Sequence, residues 1–239
     1  MAREVQPSAP SLWYRLRHNL AVTLVLNLLA AVVVIALVQA FFVKLYVVPS
    51  GSMETTLQVG DRILVNRAAY AGGVPARGDV VVFSANADWH EPKPASSNPL
   101  KEAVKYVGDV TGIGPSHGDF LVKRVIGIPG DVVDCCSAGG LVVVNGVPQN
   151  EPYIYGNLPF SATLDCTSAA RSARCFPPVT VPKGQLLVMG DHRGNSNDSV
   201  YACRGKDSAD GCLKLVPLGE VIGKTFATVL PLNRIGGVH

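Results

Sequence analysis

From Leu20 to Val43 the chain runs for 24 residues without a single charge. Thr23, Asn27 and Gln39 are its only clearly polar members. As a helix this run would be about 36 Å long, against a bilayer hydrocarbon core of about 30 Å. A segment that cannot solvate itself in water but can cross a membrane with some tilt limits the rest of the chain to one or both sides of a bilayer. A cleaved export leader is the alternative, with Arg15, Arg17 and His18 as its basic start and Val38-Gln39-Ala40 before the cut. Leader apolar cores run about 7–15 residues, so the length favours a retained anchor over 19–44. Arg3, Arg15 and Arg17 precede the run, while only Lys44 follows closely before Arg62. That bias predicts a cytoplasmic tail over 1–18 and an extracytoplasmic domain over 45–239.

Beyond the anchor, short Val, Ile, Leu and Phe runs alternate with Gly, Pro, Asn and Asp, which predicts a mostly β domain. Strands are expected over Arg62–Asn66, Asp79–Phe83, Phe120–Ile128, Leu141–Val144, Leu186–Met189 and Val221–Val229. Asn145-Gly146 reads as a tight hairpin turn. Two polar, Pro- or Cys-bearing stretches, about 84–118 and 155–182, read as insertions. All six cysteines follow the apolar run, as disulfides outside the cytoplasm would. Cys166–Cys175 and Cys203–Cys212 each close a short polar loop and are the favoured pairs. Adjacent Cys135 and Cys136 either bridge each other or cross-pair. No CxxC spacing or histidine cluster points to a metal site. The net charge is +3, with no basic stripe to suggest a nucleic-acid partner.

Three short runs carry the chemistry. The first is Ser50 to Leu57, SGSMETTL, immediately after the apolar segment. A serine needs a base to become a nucleophile, and Ser52 sits in a turn that Pro49 stiffens and Gly51 loosens. The second is Lys123 to Asp131, KRVIGIPGD. Alternation on a strand puts Leu121, Lys123 and Val125 on one face, where desolvation would lower an ammonium's pKa and free it to act as a base. Snorkelling of Lys123 to water beside Arg124 is the competing arrangement. The third is Gly190 to Val200, GDHRGNSNDSV. His90, His117, His192 and His239 stand in no arrangement that suggests a Ser-His-Asp triad.

In order and spacing these runs resemble the type I signal peptidases, membrane-bound Ser/Lys endopeptidases that remove signal peptides from exported proteins. The resemblance covers most of the chain after the apolar segment. It implies a β-rich catalytic domain built of antiparallel sheets, carried on one N-terminal transmembrane helix in the cell membrane. It implies Ser52 as nucleophile and Lys123 as general base, with the Ser52 N–H and the Ser50 hydroxyl as oxyanion donors. Ser196 matches the serine that orients the lysine, and Asp191, Arg193 and Asp198 match a supporting ion network. Val48, Met53, Leu57, Leu121 and Val122 match the walls of shallow substrate pockets for small residues of the Ala-x-Ala type. Tyr46 to Val48 is a candidate edge for an extended substrate. The partners implied are signal peptides of pre-proteins, the lipid bilayer and a protein-export translocase; no cofactor and no metal are implied.

Three positions depart from the family pattern: Thr55 stands for proline, His192 for asparagine and Val200 for arginine. The last leaves one expected ion pair without its cation. These departures are the support for a second reading, a membrane-anchored binding protein of the same fold without catalysis. A soluble self-cleaving repressor of related fold fits poorly with the apolar run.

Overall fold

The computed structural model describes residues 19–85, 89 and 120–239. The uncharged run is a helix, α1, over Leu20–Phe41, capped by the Asn19 side chain, which accepts from the Ala21 N–H at 3.0 Å. Its 22 residues span about 33 Å. The stretch Leu20–Gln39 has a mean hydropathy of 2.9, and none of its most apolar window is buried against the rest of the protein. By length and composition this helix can cross a membrane. The expected tail, 1–18, and nearly all of the expected insertion at 84–118 lie outside the described residues. At the edge of that insertion Trp89 is buried, edge-on to Phe83 with ring centroids 5.1 Å apart.

The remainder is mostly β and entirely antiparallel in its strand pairing. The strands are β1 Val43–Val47, β2 Arg62–Asn66, β3 Val80–Ser84, β4 Phe120–Gly127, β5 Val132–Cys135, β6 Val142–Val144, β7 Val147–Pro148, β8 Phe176–Thr180, β9 Gln185–Met189, β10 Val216–Pro217, β11 Val221–Leu230 and β12 Gly236–Gly237. The larger sheet runs β1-β2-β11-β3-β4-β9-β10, with β12 added to β11; the smaller runs β7-β6-β5-β8. All six expected strands are present, with ends shifted by at most two residues. Asn145 and Gly146 both adopt positive φ, 52° and 79°, as a two-residue hairpin turn between β6 and β7 requires.

Alternation explains how these strands are buried. Val80 and Val82 enter one apolar cluster with Tyr46, Val48, Met53, Leu57, Ile63 and Val65. Val81 and Phe83 enter another with Val125, Leu186 and Val188. β3 is therefore buried on both faces, which is why it reads as an unbroken apolar run. Leu187 and Met189 of β9 point the other way, into a third cluster that the smaller sheet covers with Val133, Val144, Phe176 and Val179. β8 lies inside the stretch expected as the second insertion. Its Pro177 and Pro178 disguise it, and it stands at the end of its sheet, where proline is tolerated.

Three disulfides join Cys135–Cys136, Cys166–Cys175 and Cys203–Cys212. The sulfurs of Cys136, Cys166 and Cys175 lie within 4.8 Å of one another, so crossed pairings are close at hand. Peptide mapping without reductant is expected to recover Cys166 joined to Cys175 and Cys203 to Cys212, and recovery of Cys136 joined to Cys166 or Cys175 would overturn this connectivity. Replacing Cys166 and Cys175 together by serine is expected to lower stability by about 2 to 3 kcal/mol, from the loop-closure entropy returned to the unfolded chain.

Candidate active site

After β1 the chain turns sharply at Gly51–Met53, a single 3-10 turn. The turn is closed locally: Glu54 N–H donates to Gly51 O at 3.2 Å and Leu57 N–H to Met53 O at 2.8 Å. The surrounding loop is closed too, by Val48 N–H to Asp61 O at 2.9 Å and Gly60 N–H to Val48 O at 3.0 Å. Asp61 is 2% exposed and takes three hydrogen bonds from Arg234, near the far end of the chain. Ser52 is thus presented by a loop tied down at both ends.

Lys123 comes from the middle of β4, paired with Val81 of β3. It is 2% exposed, and its Nζ lies 2.5 Å from Ser52 Oγ, itself in a residue 6% exposed. The snorkelling arrangement is therefore not adopted. Burial pushes the Lys123 amine down to about 8, against the upward pull of Asp198 and Asp191. Ser50 Oγ stands 3.4 Å from Ser52 Oγ, so the exposed hydroxyl faces the same point as the buried one.

The third run packs onto the serine from the other side. His192 N–H donates to Ser52 O at 3.1 Å. Its ring turns away from Ser52, to Glu54 Oε2 at 3.2 Å and to the Tyr155 ring at 4.9 Å. Gly190 fits between Ser52 and Ser196: a Cβ there would sit 2.5 Å from Ser52 O and 2.3 Å from Ser196 Oγ. Ser196 is 4% exposed, and its hydroxyl has no hydrogen-bond partner. The expected bond from Ser196 to Lys123 is therefore not made; the amine is directed onto Ser52, and Ser196 lies against Gly190 instead.

The acids of the third run are each held by a different arginine. Asp191, fully buried, receives Arg124 Nε at 2.9 Å and Nη2 at 2.7 Å, and the Thr56 hydroxyl at 2.6 Å. Arg124 also donates to Gly78 O and His239 O and lies 3.9 Å from the Tyr153 ring centroid. Arg193 forms a two-point pair with Glu151 and donates to Gly190 O at 3.1 Å. Asp198 pairs with Arg204 at 2.9 Å. Val200 is fully buried among apolar neighbours.

Arg124, Thr56, Glu151 and Arg204 are site residues that reading the sequence missed. A hint was available for Arg124, a second charge on an otherwise apolar strand. The others have partners too distant in sequence to signal themselves. Among the expected pocket walls, Val48, Met53, Leu57 and Val122 share one cluster and are each at most 4% exposed. Leu121 packs instead at the margin of the cluster that holds Phe83 and Val125.

Known proteins carry the same sequence pattern. The model of the family described as "Signal peptidase, peptidase S26" matches residues 21–230. The chain is 39% identical over 212 residues to the "Probable signal peptidase I" of Mycobacterium leprae, covering 83% of this chain and 72% of that protein. It is 38% identical over 216 residues to the "Signal peptidase I" of Mycobacterium tuberculosis, covering 87% and 72% respectively. It is 31% identical over 210 residues to the "Probable signal peptidase I-2" of a Synechocystis strain, covering 88% and 73%.

The burial of Lys123 has a direct spectroscopic consequence. In lysine-labelled protein the Lys123 Cε signal, assigned by its loss in Lys123→Ala, is expected to titrate near 8, against about 10.4 for a solvated lysine. A midpoint at the solvated value would mean that the amine is not held in this dry position.

Proposed function

The chain belongs to the signal peptidase family, peptidase S26, and from that premise we propose that it cleaves N-terminal signal peptides from exported pre-proteins by a Ser52/Lys123 dyad. Membership makes it a serine endopeptidase of the signal peptidase I type. The observation that carries the dyad is the 2.5 Å approach of Lys123 Nζ to Ser52 Oγ with both residues buried. A charged ammonium at that distance can only donate to the hydroxyl. Once neutral, the same nitrogen presents a lone pair along the same line and accepts the serine proton.

Ser52 Oγ then attacks the carbonyl after a small residue of an Ala-x-Ala site. The Ser52 N–H and the Ser50 hydroxyl receive the charge on the tetrahedral oxygen. Lys123, now an ammonium, gives its proton to the departing amine of the mature protein. Water, deprotonated in turn by Lys123, attacks the acyl-serine ester and releases the signal peptide. β1 stands at the edge of the larger sheet, so its outer side can take an extended substrate as an added strand. The helix α1 anchors the protein in the cytoplasmic membrane, with 1–18 in the cytoplasm and 45–239 outside. That arrangement brings Ser52 close to the outer membrane surface, where a translocase would deliver the substrate. No cofactor takes part.

The test is cleavage of a pre-protein with an Ala-x-Ala site by the detergent-solubilised chain. Ser52→Ala and Lys123→Ala are expected to remain folded and to lose activity by at least about a thousandfold. A folded wild type without activity would instead favour the binding-protein reading. Because Lys123 is protonated and unable to accept a proton below about 8, kcat/KM is expected to rise about tenfold per pH unit up to that point and then level off. A profile flat from pH 6 to 9 would remove Lys123 as the base. Gly190→Ala, which forces a methyl against Ser52 O, is expected to cut kcat at least about a hundredfold with the disulfides and fold intact.

A further inference from the structure

The charges around Lys123 are arranged in pairs. Asp191 is neutralised by Arg124, Arg193 by Glu151 and Asp198 by Arg204, while the His192 ring meets Glu54 at 3.2 Å. Arg124 and Arg193 lie inside β4 and the Gly190–Val200 run. Arg204, the arginine on Asp198, lies outside both. It follows directly on Cys203, at the end of the short 3-10 turn Tyr201–Cys203. Cys203 is fully buried and bonded to Cys212, so the position of Arg204 is set by a covalent crosslink. The side chain of Arg204 is 9% exposed and that of Asp198 fully buried. Arg204 donates to Asp198 Oδ2 at 2.9 Å and to Arg193 O at 2.7 Å, joining the acid to the third run's backbone. Asp198 Oδ1 has no hydrogen-bond partner, and Oδ2 accepts the Gly190 N–H only at a long 3.5 Å, so Arg204 makes the strongest contact with this buried carboxylate. Gly190 itself lies against Ser52 O, which sets Asp198 directly behind the Ser52 and Lys123 pair.

We infer that Arg204, held by the Cys203–Cys212 disulfide, is a positioning residue for Lys123: by neutralising Asp198 it keeps a bare buried carboxylate from trapping the lysine as an ammonium. The role rests on the reading of Lys123 as the general base. It differs from that of Arg124, whose acid is also satisfied by Thr56. Asp198 has fewer donors than Asp191: one Arg204 nitrogen and the distant Gly190 N–H, against two Arg124 nitrogens and the Thr56 hydroxyl. A bare carboxylate favours a neighbouring cation, so loss of the guanidinium moves the amine toward its charged, non-basic form.

The test uses the full chain in detergent and two readouts. The first is the titration of the Lys123 Cε signal in a Ser52→Ala background, which needs no activity. Arg204→Gln is expected to raise its midpoint by about one pH unit, and Asp198→Asn with Arg204→Gln to bring it back to or below the starting value. The second is the pH profile of kcat/KM. Arg204→Gln is expected to lose about tenfold at pH 7 and to recover most of that rate above pH 9, because the base is present there. Cys203→Ser with Cys212→Ser is expected to move the profile in the same direction, and adding Arg204→Gln to it to cause little further change. An unmoved Lys123 midpoint in Arg204→Gln overturns the proposal. So does a loss of rate equal at every pH, which would mark a purely structural residue. A disulfide variant with the wild-type profile overturns the part assigned to the crosslink. If Lys123→Ala keeps wild-type turnover, the base assignment fails instead, while the titration still reports whether Arg204 governs the amine.

Discussion

Everything in this site depends on keeping an amine beside a hydroxyl in the dry middle of a sheet. Desolvation alone drives Lys123 toward neutrality, while the nearby acids pull it back. Neither force can be allowed to win outright. Without acids, the ammonium formed during a reaction cycle would have no electrostatic support; with acids left bare, the lysine would stay charged and useless as a base. The structure meets both demands by placing the acids close and giving each its own arginine. Asp191 shows the limit of this design: two guanidinium nitrogens and one hydroxyl leave it little unspent charge density. The proposed work of the ion pairs is accordingly to set one proton and not to add stability, since buried pairs seldom repay their desolvation in full.

The same economy explains the central place of β4. Lys123 and Arg124 are consecutive, so alternation sends them to opposite faces of one strand. One reaches Ser52 and the other reaches Asp191, which lies in the segment that packs against Ser52. A slip of one residue against β3 or β9 would exchange the two side chains and lose both contacts together. Register is fixed on both sides, by Lys123 opposite Val81 and Arg124 opposite Met189. Arg124 also takes carbonyls from Gly78 and from His239 at the end of the numbering, so strand register, a β-turn and the C-terminal segment are tied to one guanidinium.

The strands were legible for local reasons, whereas Ser52 and Lys123 stood out only through the resemblance of their runs to the family. Apolar runs bounded by turn residues define strands over a few positions, but a Gly-flanked serine alone reads as a turn and a strand lysine alone as a snorkelling one. β8 was hidden because its two prolines argue against a strand wherever edge position is unknown. Several antiparallel sheets were expected, but the point where they part was hidden because β4 and β5 are nearly continuous in sequence and separate only at the turn around Ile128–Asp131. Thr56, Glu151 and Arg204 were hidden for a different reason: each is an ordinary polar residue whose meaning comes from a partner 135, 42 or 6 positions away. The expected Ser196–Lys123 bond erred in the opposite direction, since similarity of motif fixes which residue is present but not which of two near hydroxyls the amine will face.

The three departures from the family pattern are tolerable for reasons visible in the packing. Thr55 is exposed on the far side of the turn, where proline would add stiffness to a loop already held by Asp61 and Arg234. His192 grips Ser52 through its backbone N–H, which any residue but proline supplies, so its ring is free to pair with Glu54. Val200 is the most constrained of the three. It is fully buried among Cys203, Cys212 and the apolar residues of the smaller sheet, a setting in which a guanidinium would need a partner of its own. Four positions along, Arg204 pairs with Asp198 directly after the disulfide-bonded Cys203. Val200 thus fills the apolar core between the sheets, while the buried charge of Asp198 is met from Arg204 instead of from position 200.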